Sequence, residues 1–463
     1  MKLSIKQKKI KAELKRKEYF KFFDNNGIRY ASNNLSKPYL NKLSPGCLTC
    51  IKGIWSCVYI NTLCTKNCFF CPQDRTKNKE AMPKSDLSEF KSSDKYVKHL
   101  KKFNFSGISF SGGEPFLVFD KLIKYIKKIR KTFGKKYYIW VYTNGDLITE
   151  KKLQLLNKIG LNEIRFNIAA RNYDLKPVKI AVKYIKNVTV EIPTIPEDLN
   201  ILKILLPKLE SVGVKYLNLH QLYVTKYNSE NISKKKYTII KEKDGLLPVL
   251  ESELSAFELL EYAIKIKSKI GINYCSKCYK ERFQSKGNRM QLAPFLIDEF
   301  DDITNTGFIR KLLVKCQKNN LNKFLNDSNL NKSEYKLIKK GNVFEIIISS
   351  KKFLKIFKKI VEIGKEVNIK YYSHVEKKQI RRNNEFPFSI MEFGSLKLKN
   401  ESSLIMFKKL FIENKKLDKV INEILKLYGH NKIMKETIIK DIKSFYIRFS
   451  KYEYLPNNLQ PYA

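Results

Sequence analysis

Three cysteines stand within eight residues in the stretch NTLCTKNCFFCPQD, which covers positions 61 to 74. Cys64, Cys68 and Cys71 are separated by three and then two residues, and Pro72 stiffens the exit from the segment. A structural zinc ion takes four protein ligands, and a four-iron cluster normally takes four thiolates. Three thiolates would leave one iron without a protein ligand, which suits a cluster that binds a chelating small molecule at iron.

A second stretch, SGGEP at positions 111–115, follows a predicted strand further along the chain. Gly112 and Gly113 have no Cβ, so the backbone there can lie against a ligand. Pro115 has no N–H and ends the strand, which leaves neighbouring carbonyl groups free to accept from an ammonium group. A Gly-Gly pair alone is most often only a turn, but its place after the cysteine segment favours a functional role.

Together the two stretches resemble the radical S-adenosylmethionine (SAM) superfamily. That family has the pattern C-x3-C-x2-C with an aromatic residue, here Phe70, before the last cysteine. The resemblance implies that the three cysteines hold a [4Fe–4S] cluster and that SAM occupies the fourth iron. One electron from the cluster would cleave SAM to a 5′-deoxyadenosyl radical. The resemblance also implies that the GGEP segment, in which Glu114 matches position for position, contacts the methionine amino group.

Weaker matches to the family follow on four later predicted strands or at their ends. In YTNG (142–145), Thr143 and Asn144 would line the SAM pocket, although an Asn-Gly turn explains the same letters. Arg165 and Asn167 alternate onto one face of the fourth strand, where family members often touch the ribose or carboxylate of SAM. A surface ion pair is the alternative for the arginine.

Two further segments complete the resemblance at the strand ends. EIPTIP at 191–196 would support the adenine through its backbone. His220, within NLHQL at 218–222, would reach SAM or the substrate. A lone histidine is more often a packed core residue, so both interpretations of His220 stay open.

Two further cysteine pairs raise the question of an auxiliary metal. PGCLTC (45–50) and NYCSKCYKERFQ (273–284) resemble segments of uncharacterised radical SAM proteins related to pyruvate formate-lyase activating enzymes. The resemblance covers about residues 45 to 290. The pairs could together bind zinc or a second cluster. However, one pair precedes its strand and the other follows one, so a simple barrel would put them at opposite ends. The four cysteines are Cys47, Cys50, Cys275 and Cys278.

The pattern around these motifs predicts the fold. Apolar runs rich in Val, Ile, Tyr and Phe alternate with helical stretches, which is typical of βαβ units and a parallel sheet. We therefore expect an α/β fold, a full or partial (β/α) barrel of radical SAM type over residues 46–290, with chemistry at the carboxyl ends of the strands. Residues 1–45 are predicted to form a basic helical arm and an irregular connection. Residues 291–463 are predicted to form a Lys-rich α+β accessory region.

The composition bears on partners and on compartment. The formal net charge is +46, and it is spread along the chain, as translation from an A+T-rich genome would also give. The charge favours RNA as a partner, whereas the family resemblance favours a protein or peptide substrate. A non-catalytic iron–sulfur or zinc protein that binds RNA is a further alternative. Nine cysteines, with no secretory signal and no long apolar run, predict a cytoplasmic protein with no membrane partner. The family chemistry also implies a reducing donor such as flavodoxin or ferredoxin.

Overall fold

The computed structural model describes most of the chain and divides it into two compact units. The described residues are 4–33, 35–73, 81–85, 88–241, 247–362, 366–376, 388–398, 401–428, 432–454, 459 and 462. The first unit comprises Met1–Gly287 with Pro456–Ala463, and the second comprises Asn288–Leu455. No helix within the described ranges has both the length and the apolarity that crossing a bilayer requires.

The first unit is built on one sheet of eleven strands. In chain order its strands are β1 (Arg29–Tyr30), β2 (Pro38–Leu40), β3 (Trp55–Asn61), β4 (Lys84–Ser85), β5 (Ser88–Glu89), β6 (Gly107–Gly112), β7 (Tyr138–Thr143), β8 (Glu163–Phe166), β9 (Asn187–Pro193), β10 (Tyr216–His220) and β11 (Gly271–Cys275).

Seven of these strands are parallel and lie side by side in the order β3-β6-β7-β8-β9-β10-β11. β4 and β5 add antiparallel strands beyond β3, while β2 and β1 add antiparallel strands beyond β11. The sheet does not close on itself in the described part of the chain, so the barrel is partial. The predicted α/β class and barrel type are confirmed.

Helices follow most of the parallel strands, as crossover connections require. The helices of this unit are α1 (Ile5–Asn25), α2 (Pro45–Ile51), α3 (Ser93–Lys102), α4 (Phe119–Phe133), α5 (Glu150–Lys158), α6 (Lys176–Tyr184), α7 (Leu199–Ser211), α8 (Ser229–Ser233), α9 (Leu250–Lys265), α10 (Lys277–Tyr279) and α11, which begins in this unit (Ser285–Leu292).

The parallel strands alternate between an apolar and a polar face. In β8, Ile164 and Phe166 are fully buried, and between them Arg165 pairs with Glu163 of the same strand and with Glu191 of β9. β10 repeats the pattern, with Leu217 and Leu219 buried and apolar on either side of Asn218. Because successive side chains point to opposite faces, the apolar set packs outward and a polar set lines the barrel interior.

The arm and the connection before the barrel are more ordered than their sequence indicates. α1 packs on α9, where Tyr19 and Phe23 meet the ring of Phe257 and Arg16 forms a buried ion pair with Glu253. The stretch expected to be irregular contains β1 and β2. β2 begins at a proline, which is tolerated at the first residue of a strand, and its partner β11 lies more than 200 residues away along the chain, so local sequence could not reveal it.

The second unit is an α+β structure with its own core. Its strands β12 (Asp302–Ile303), β13 (Ile309–Gln317), β14 (Tyr335–Lys340), β15 (Val343–Ile348), β16 (Val367–Glu376) and β17 (Phe388–Leu398) form an antiparallel sheet in the order β14-β15-β13-β16-β17, with β12 beside β13. The helices are α12 (Leu321–Asp327), α13 (Ser350–Glu362), α14 (Glu401–Phe407), α15 (Leu417–Tyr428) and α16 (Lys432–Glu453). The stretch RRNNEFPF at 381–388 has the sequence of a loop, and it lies outside the described residues except for its last position, where β17 begins.

Candidate functional site

The cysteine segment starts where β3 ends, at the carboxyl edge of the parallel sheet. Cys64, Cys68 and Cys71 are each partly exposed, and the amide of Cys71 donates to the carbonyl of Cys68 at 3.0 Å. Phe69 and Phe70 anchor the segment in an apolar cluster with residues that follow β9 and β10, among them Ile195 and Leu222. The thiols are therefore held at the barrel mouth by the aromatic pair between the last two cysteines.

The two glycines of SGGEP allow the end of β6 to pack directly on the chain that leads into the cysteine segment. Gly113 donates its amide to the carbonyl of Asn61 at 2.9 Å, and a Cβ at Gly113 would lie 1.7 Å from the carbonyl oxygen of Leu63. Gly112 has φ of +113°, and a Cβ there would lie 2.2 Å from the Asn61 oxygen. The need for glycine thus comes from contact with the chain's own backbone.

Glu114 turns its side chain inward and is fully buried. Its carboxylate accepts from the Thr143 hydroxyl at 2.9 Å, the Asn144 amide at 2.7 Å and the Phe116 amide at 3.1 Å. Burial raises the pKa of Glu114 to about 6, although these three donors act in the opposite direction. Pro115, which follows, is also buried and starts a short helical turn. Glu114 therefore holds the YTNG turn in place.

The YTNG turn contacts the cysteine segment through Asn144. Its side-chain amide donates to the Thr65 hydroxyl at 2.8 Å and lies 3.7 Å from Cys64 Sγ. The Thr65 hydroxyl donates to Asp146 at 2.7 Å, and Asp146 also pairs with Arg171. Sequence analysis missed Thr65, Asp146 and Arg171, although the first two directly follow a motif residue.

Three buried polar atoms at the carboxyl ends of the strands have no hydrogen-bond partner among the residues that the structure describes. They are Asn61 Oδ1 at the end of β3, Asn167 Oδ1 after β8 and Thr194 Oγ1 after β9. Buried polar atoms are nearly always satisfied, so such groups point to a ligand or water. They lie at the strand ends of the first unit where the resemblance expects SAM, and the residues present fit a polar cofactor.

Arg165 lies inside the barrel, where its guanidinium pairs with Glu163 and Glu191, each at 2.7 Å, and donates to Ser44 Oγ at 3.0 Å. Burial opposes its charge, yet these carboxylates and Tyr142 outweigh burial and raise the pKa of Arg165 well above its usual value. Arg165 therefore has three partners inside the barrel, Glu163, Glu191 and Ser44, that the sequence did not indicate.

His220 joins two charged side chains at the end of β10. Its Nε2 lies 2.9 Å from Glu191, and its Nδ1 lies 2.8 Å from Lys280 Nζ. Burial and the Lys280 charge lower the pKa of His220 to about 4, so the imidazole is neutral near pH 7 and accepts from the ammonium. Glu191 and Lys280 were not predicted as site residues.

We had expected the two cysteine pairs at opposite ends of the barrel, and the structure does not place them there. α2 lies across the amino ends of the strands and directs Cys47 inward, where Asn273 Nδ2 lies 3.9 Å from Cys47 Sγ. Asn273 is two residues before Cys275, a span of about 6.6 Å along a strand. Cys50 interacts electrostatically with both Cys275 and Cys47. The inward position of α2 therefore brings Cys47 and Cys50 into the same region as Cys275.

The thiols are not arranged for a single metal ion. In the part of the chain that the structure describes, no three Cys, His, Asp or Glu side chains are grouped as ligands of one ion. This is compatible with an iron–sulfur cluster, since each cysteine then binds a different iron. Three thiols held at a barrel mouth beside unsatisfied polar atoms fit a cluster and a polar ligand together.

Comparison with known proteins decides the family. Residues 58–191 match the Radical SAM superfamily, and this span includes the three cysteines, the GGEP segment and the YTNG turn. The chain contains a radical SAM domain. It is an enzyme that uses SAM and a [4Fe–4S] cluster, as the cysteine spacing predicted.

The relatives differ in how much of this chain they match and in how much of their own length is covered. A protein of Methanocaldococcus jannaschii, provisionally named a glycyl-radical enzyme activating enzyme, is 25% identical over 313 residues, which are 65% of this chain and 81% of the relative. The SAM-dependent 2-deoxy-scyllo-inosamine dehydrogenase of Niallia circulans is 32% identical over 114 residues, 23% of this chain and 41% of the relative. The crystal structure of Streptococcus suis SuiB bound to its precursor peptide SuiA covers 56% of this chain and 52% of SuiB, with 12% identity and a TM-score of 0.37.

Proposed function

We propose that this radical SAM enzyme abstracts a hydrogen atom from a protein or peptide substrate. The observation that carries the proposal is the alignment with the M. jannaschii protein named as an activating enzyme, because it extends over 81% of that relative. An activating enzyme acts on another protein, so its substrate must reach the carboxyl edge of the barrel. The other relatives match over less of their length and add nothing on the substrate.

In this proposal Cys64, Cys68 and Cys71 hold the cluster, which together with SAM supplies a 5′-deoxyadenosyl radical when bound. The protein's part is to orient SAM and to exclude water from the radical. The unsatisfied oxygens of Asn167 and Thr194 are the polar atoms offered to SAM. The apolar cluster around Phe69 and Phe70 shields the cysteine segment from solvent on one side.

Hydrogen transfer from substrate to 5′-deoxyadenosine provides the test. Extract from cells grown in deuterated medium would be incubated anaerobically with the reconstituted enzyme, unlabelled SAM and dithionite. We expect mass spectrometry to detect deuterium in 5′-deoxyadenosine, and we expect protease treatment of the extract, but not nuclease treatment, to abolish the label. The matched control is the C64A/C68A/C71A variant, which should form no 5′-deoxyadenosine. Label that survives protease would overturn the protein or peptide substrate.

RNA modification is a second candidate because of the formal net charge of +46. The same experiment separates the two, since RNA as the substrate requires that nuclease, and not protease, removes the label. A cluster-loaded enzyme that forms no 5′-deoxyadenosine at all would reject radical catalysis in either form. The identity of the physiological reductant, flavodoxin or ferredoxin, stays a prediction that the dithionite assay does not address.

A further inference from the structure

A second group of thiols lies deep in the first unit, away from the Cys64–Cys71 segment. Cys47 is 7% exposed, Cys275 is 9% exposed and Cys278 is 2% exposed. β2 pairs with β11, with Tyr39 opposite Asn273 and Leu40 opposite Ile272, and the chain then leads into α2, which carries Cys47. Cys275 is the last residue of β11, and Cys278 follows it by three positions in the short helix α10, the same spacing that separates Cys47 from Cys50.

Cys47 is surrounded by N–H donors that point at its sulfur. Asn218 Nδ2 lies 3.4 Å from Cys47 Sγ, Arg165 Nη2 lies 3.8 Å away, and Asn273 Nδ2 lies 3.9 Å away. A buried free cysteine usually behaves as a small apolar residue and attracts no such donors. Three N–H donors around one sulfur favour a sulfur that carries negative charge. Donors of this kind commonly support metal-bound ligands.

Lys37 supplies a cation to the same region and lacks the usual counterion. The side chain is 3% exposed, donates to Asn273 Oδ1 at 2.8 Å and lies 4.8 Å from the centre of the Tyr279 ring. The sulfurs of Cys275, Cys47 and Cys50 interact with its charge. Among the described residues no carboxylate forms an ion pair with it. A buried ammonium is costly unless it is paired, and thiolates bound to a metal would supply the balancing negative charge.

We propose that Cys47, Cys50, Cys275 and Cys278 bind a second iron–sulfur cluster inside the barrel. Four thiolates would complete the coordination of such a cluster, so this site would have no iron free to bind SAM. A single zinc ion fits less well, because its four ligands must converge on one point and the described thiols do not. In a cluster each thiolate binds a separate iron, which allows the wider spacing, and the negative cluster pairs with Lys37.

The decisive experiment removes the first cluster and asks whether iron remains. The C64A/C68A/C71A variant would be reconstituted anaerobically with iron and sulfide, and its iron, acid-labile sulfide and Mössbauer spectrum would be measured. We expect iron and sulfide to remain in this variant and to be lost when C47A/C275A is added. The matched control adds C316A instead, because Cys316 is also buried but lies in the second unit, and it should leave the iron content unchanged.

The iron measurements decide the proposal separately from the proposed function, since they require neither SAM nor a substrate. A folded C64A/C68A/C71A variant that contains no iron, or contains zinc alone, would overturn the second cluster. If that variant does not fold, as judged by circular dichroism, the wild-type protein would be compared with a C47A/C275A variant that keeps Cys64, Cys68 and Cys71. We then expect about half of the iron to be lost and the SAM-dependent change in the EPR spectrum to remain. Equal iron content in the two proteins would overturn the proposal.

Discussion

Asn144, which follows β7, links that strand to Cys64, the first cysteine of the cysteine segment. Its side-chain amide donates to the hydroxyl of Thr65, the residue that follows Cys64, at 2.8 Å, and the same amide lies 3.7 Å from Cys64 Sγ. Its backbone amide donates to Glu114 at 2.7 Å. One residue therefore connects the GGEP segment, the YTNG turn and the cysteine segment.

The substitution Asn144→Leu keeps the size of the side chain and removes both N–H donors. Because the Thr65 contact is partly buried, its loss should cost about 1–3 kcal/mol. We expect 5′-deoxyadenosine formation to fall by about 5-fold to about 150-fold, while the iron content of the reconstituted protein stays close to that of the wild type. Asn200→Leu, at an exposed position of α7, is the matched control and should leave both quantities unchanged. Equal rates for the two variants would contradict the role of Asn144.

Glu114 should make SAM binding sensitive to pH below neutrality. The pKa of its carboxyl is raised from 4.5 to about 6, so above pH 6 it is ionised and accepts from all three donors. Protonation places a hydrogen where Thr143 or Asn144 donates, which loosens the turn that holds the cysteine segment. We expect SAM affinity, measured by calorimetry, to be constant from pH 8 to 7 and to fall below pH 6, and the fall should be absent in E114Q.

The stability contribution of Glu114 has the opposite dependence on pH. Because the folded-state pKa is raised, the folded protein binds this proton more tightly than the unfolded chain does. The contribution is therefore fully present below pH 4.5 and is lost as the pH rises through about 6. The difference in the free energy of unfolding between wild type and E114Q should follow this curve. A difference independent of pH would show that Glu114 does not titrate in this range.

Local sequence predicted the parts of the fold whose pattern is local. The parallel sheet was predicted because apolar runs alternate with helical stretches along the sequence. β2 was not found, since it has three residues and its partner strand lies far along the chain. The interior position of α2 could not be predicted either. It depends on contact with residues of several strands, such as Glu163 and Gly107, whose proximity only the folded sheet creates.

The candidate site was predicted to the extent that its residues lie in motifs. The spacing of the cysteines and their place after a strand identified the cluster segment. The partners of the predicted residues were missed, because a hydrogen bond such as that between Thr65 and Asp146 joins segments about 80 residues apart. The two cysteine pairs were expected at opposite ends for the same reason: strand order is visible in the sequence, but a helix that crosses beneath the sheet is not.

Gly113→Ala should prevent proper assembly of the cysteine segment. The added Cβ would lie 1.7 Å from the carbonyl oxygen of Leu63, which precedes the first cluster cysteine, and backbone on both sides leaves no flexible group to move. We expect the reconstituted variant to bind less iron and to form little 5′-deoxyadenosine. Gly27→Ala is the control: its φ is +77° but no atom lies within 4 Å of the added Cβ, so it should lose only about 1–2 kcal/mol of stability.

Arg165 provides the last prediction, because two roles for it can be separated by experiment. If its guanidinium stabilises the barrel interior by pairing with Glu163 and Glu191, Arg165→Met leaves both carboxylates buried without their partner. The free energy of unfolding, measured in denaturant, should then fall by about 3–5 kcal/mol, and replacing both acids by glutamine should restore part of the loss. If Arg165 instead contacts SAM, the affinity for SAM should fall with little change in stability.

Arg130→Met is the matched control for this comparison. Arg130 donates to the carbonyl oxygens of Gly160 and Tyr137 and to Asn162, so its removal leaves no unpaired buried charge. Its loss should cost less than that of Arg165, since only neutral acceptors lose a donor, at about 1–3 kcal/mol. An Arg165 variant no less stable than the Arg130 variant, with SAM affinity lowered, would assign the guanidinium to the cofactor. The geometry of three acceptors around one buried cation favours the structural role.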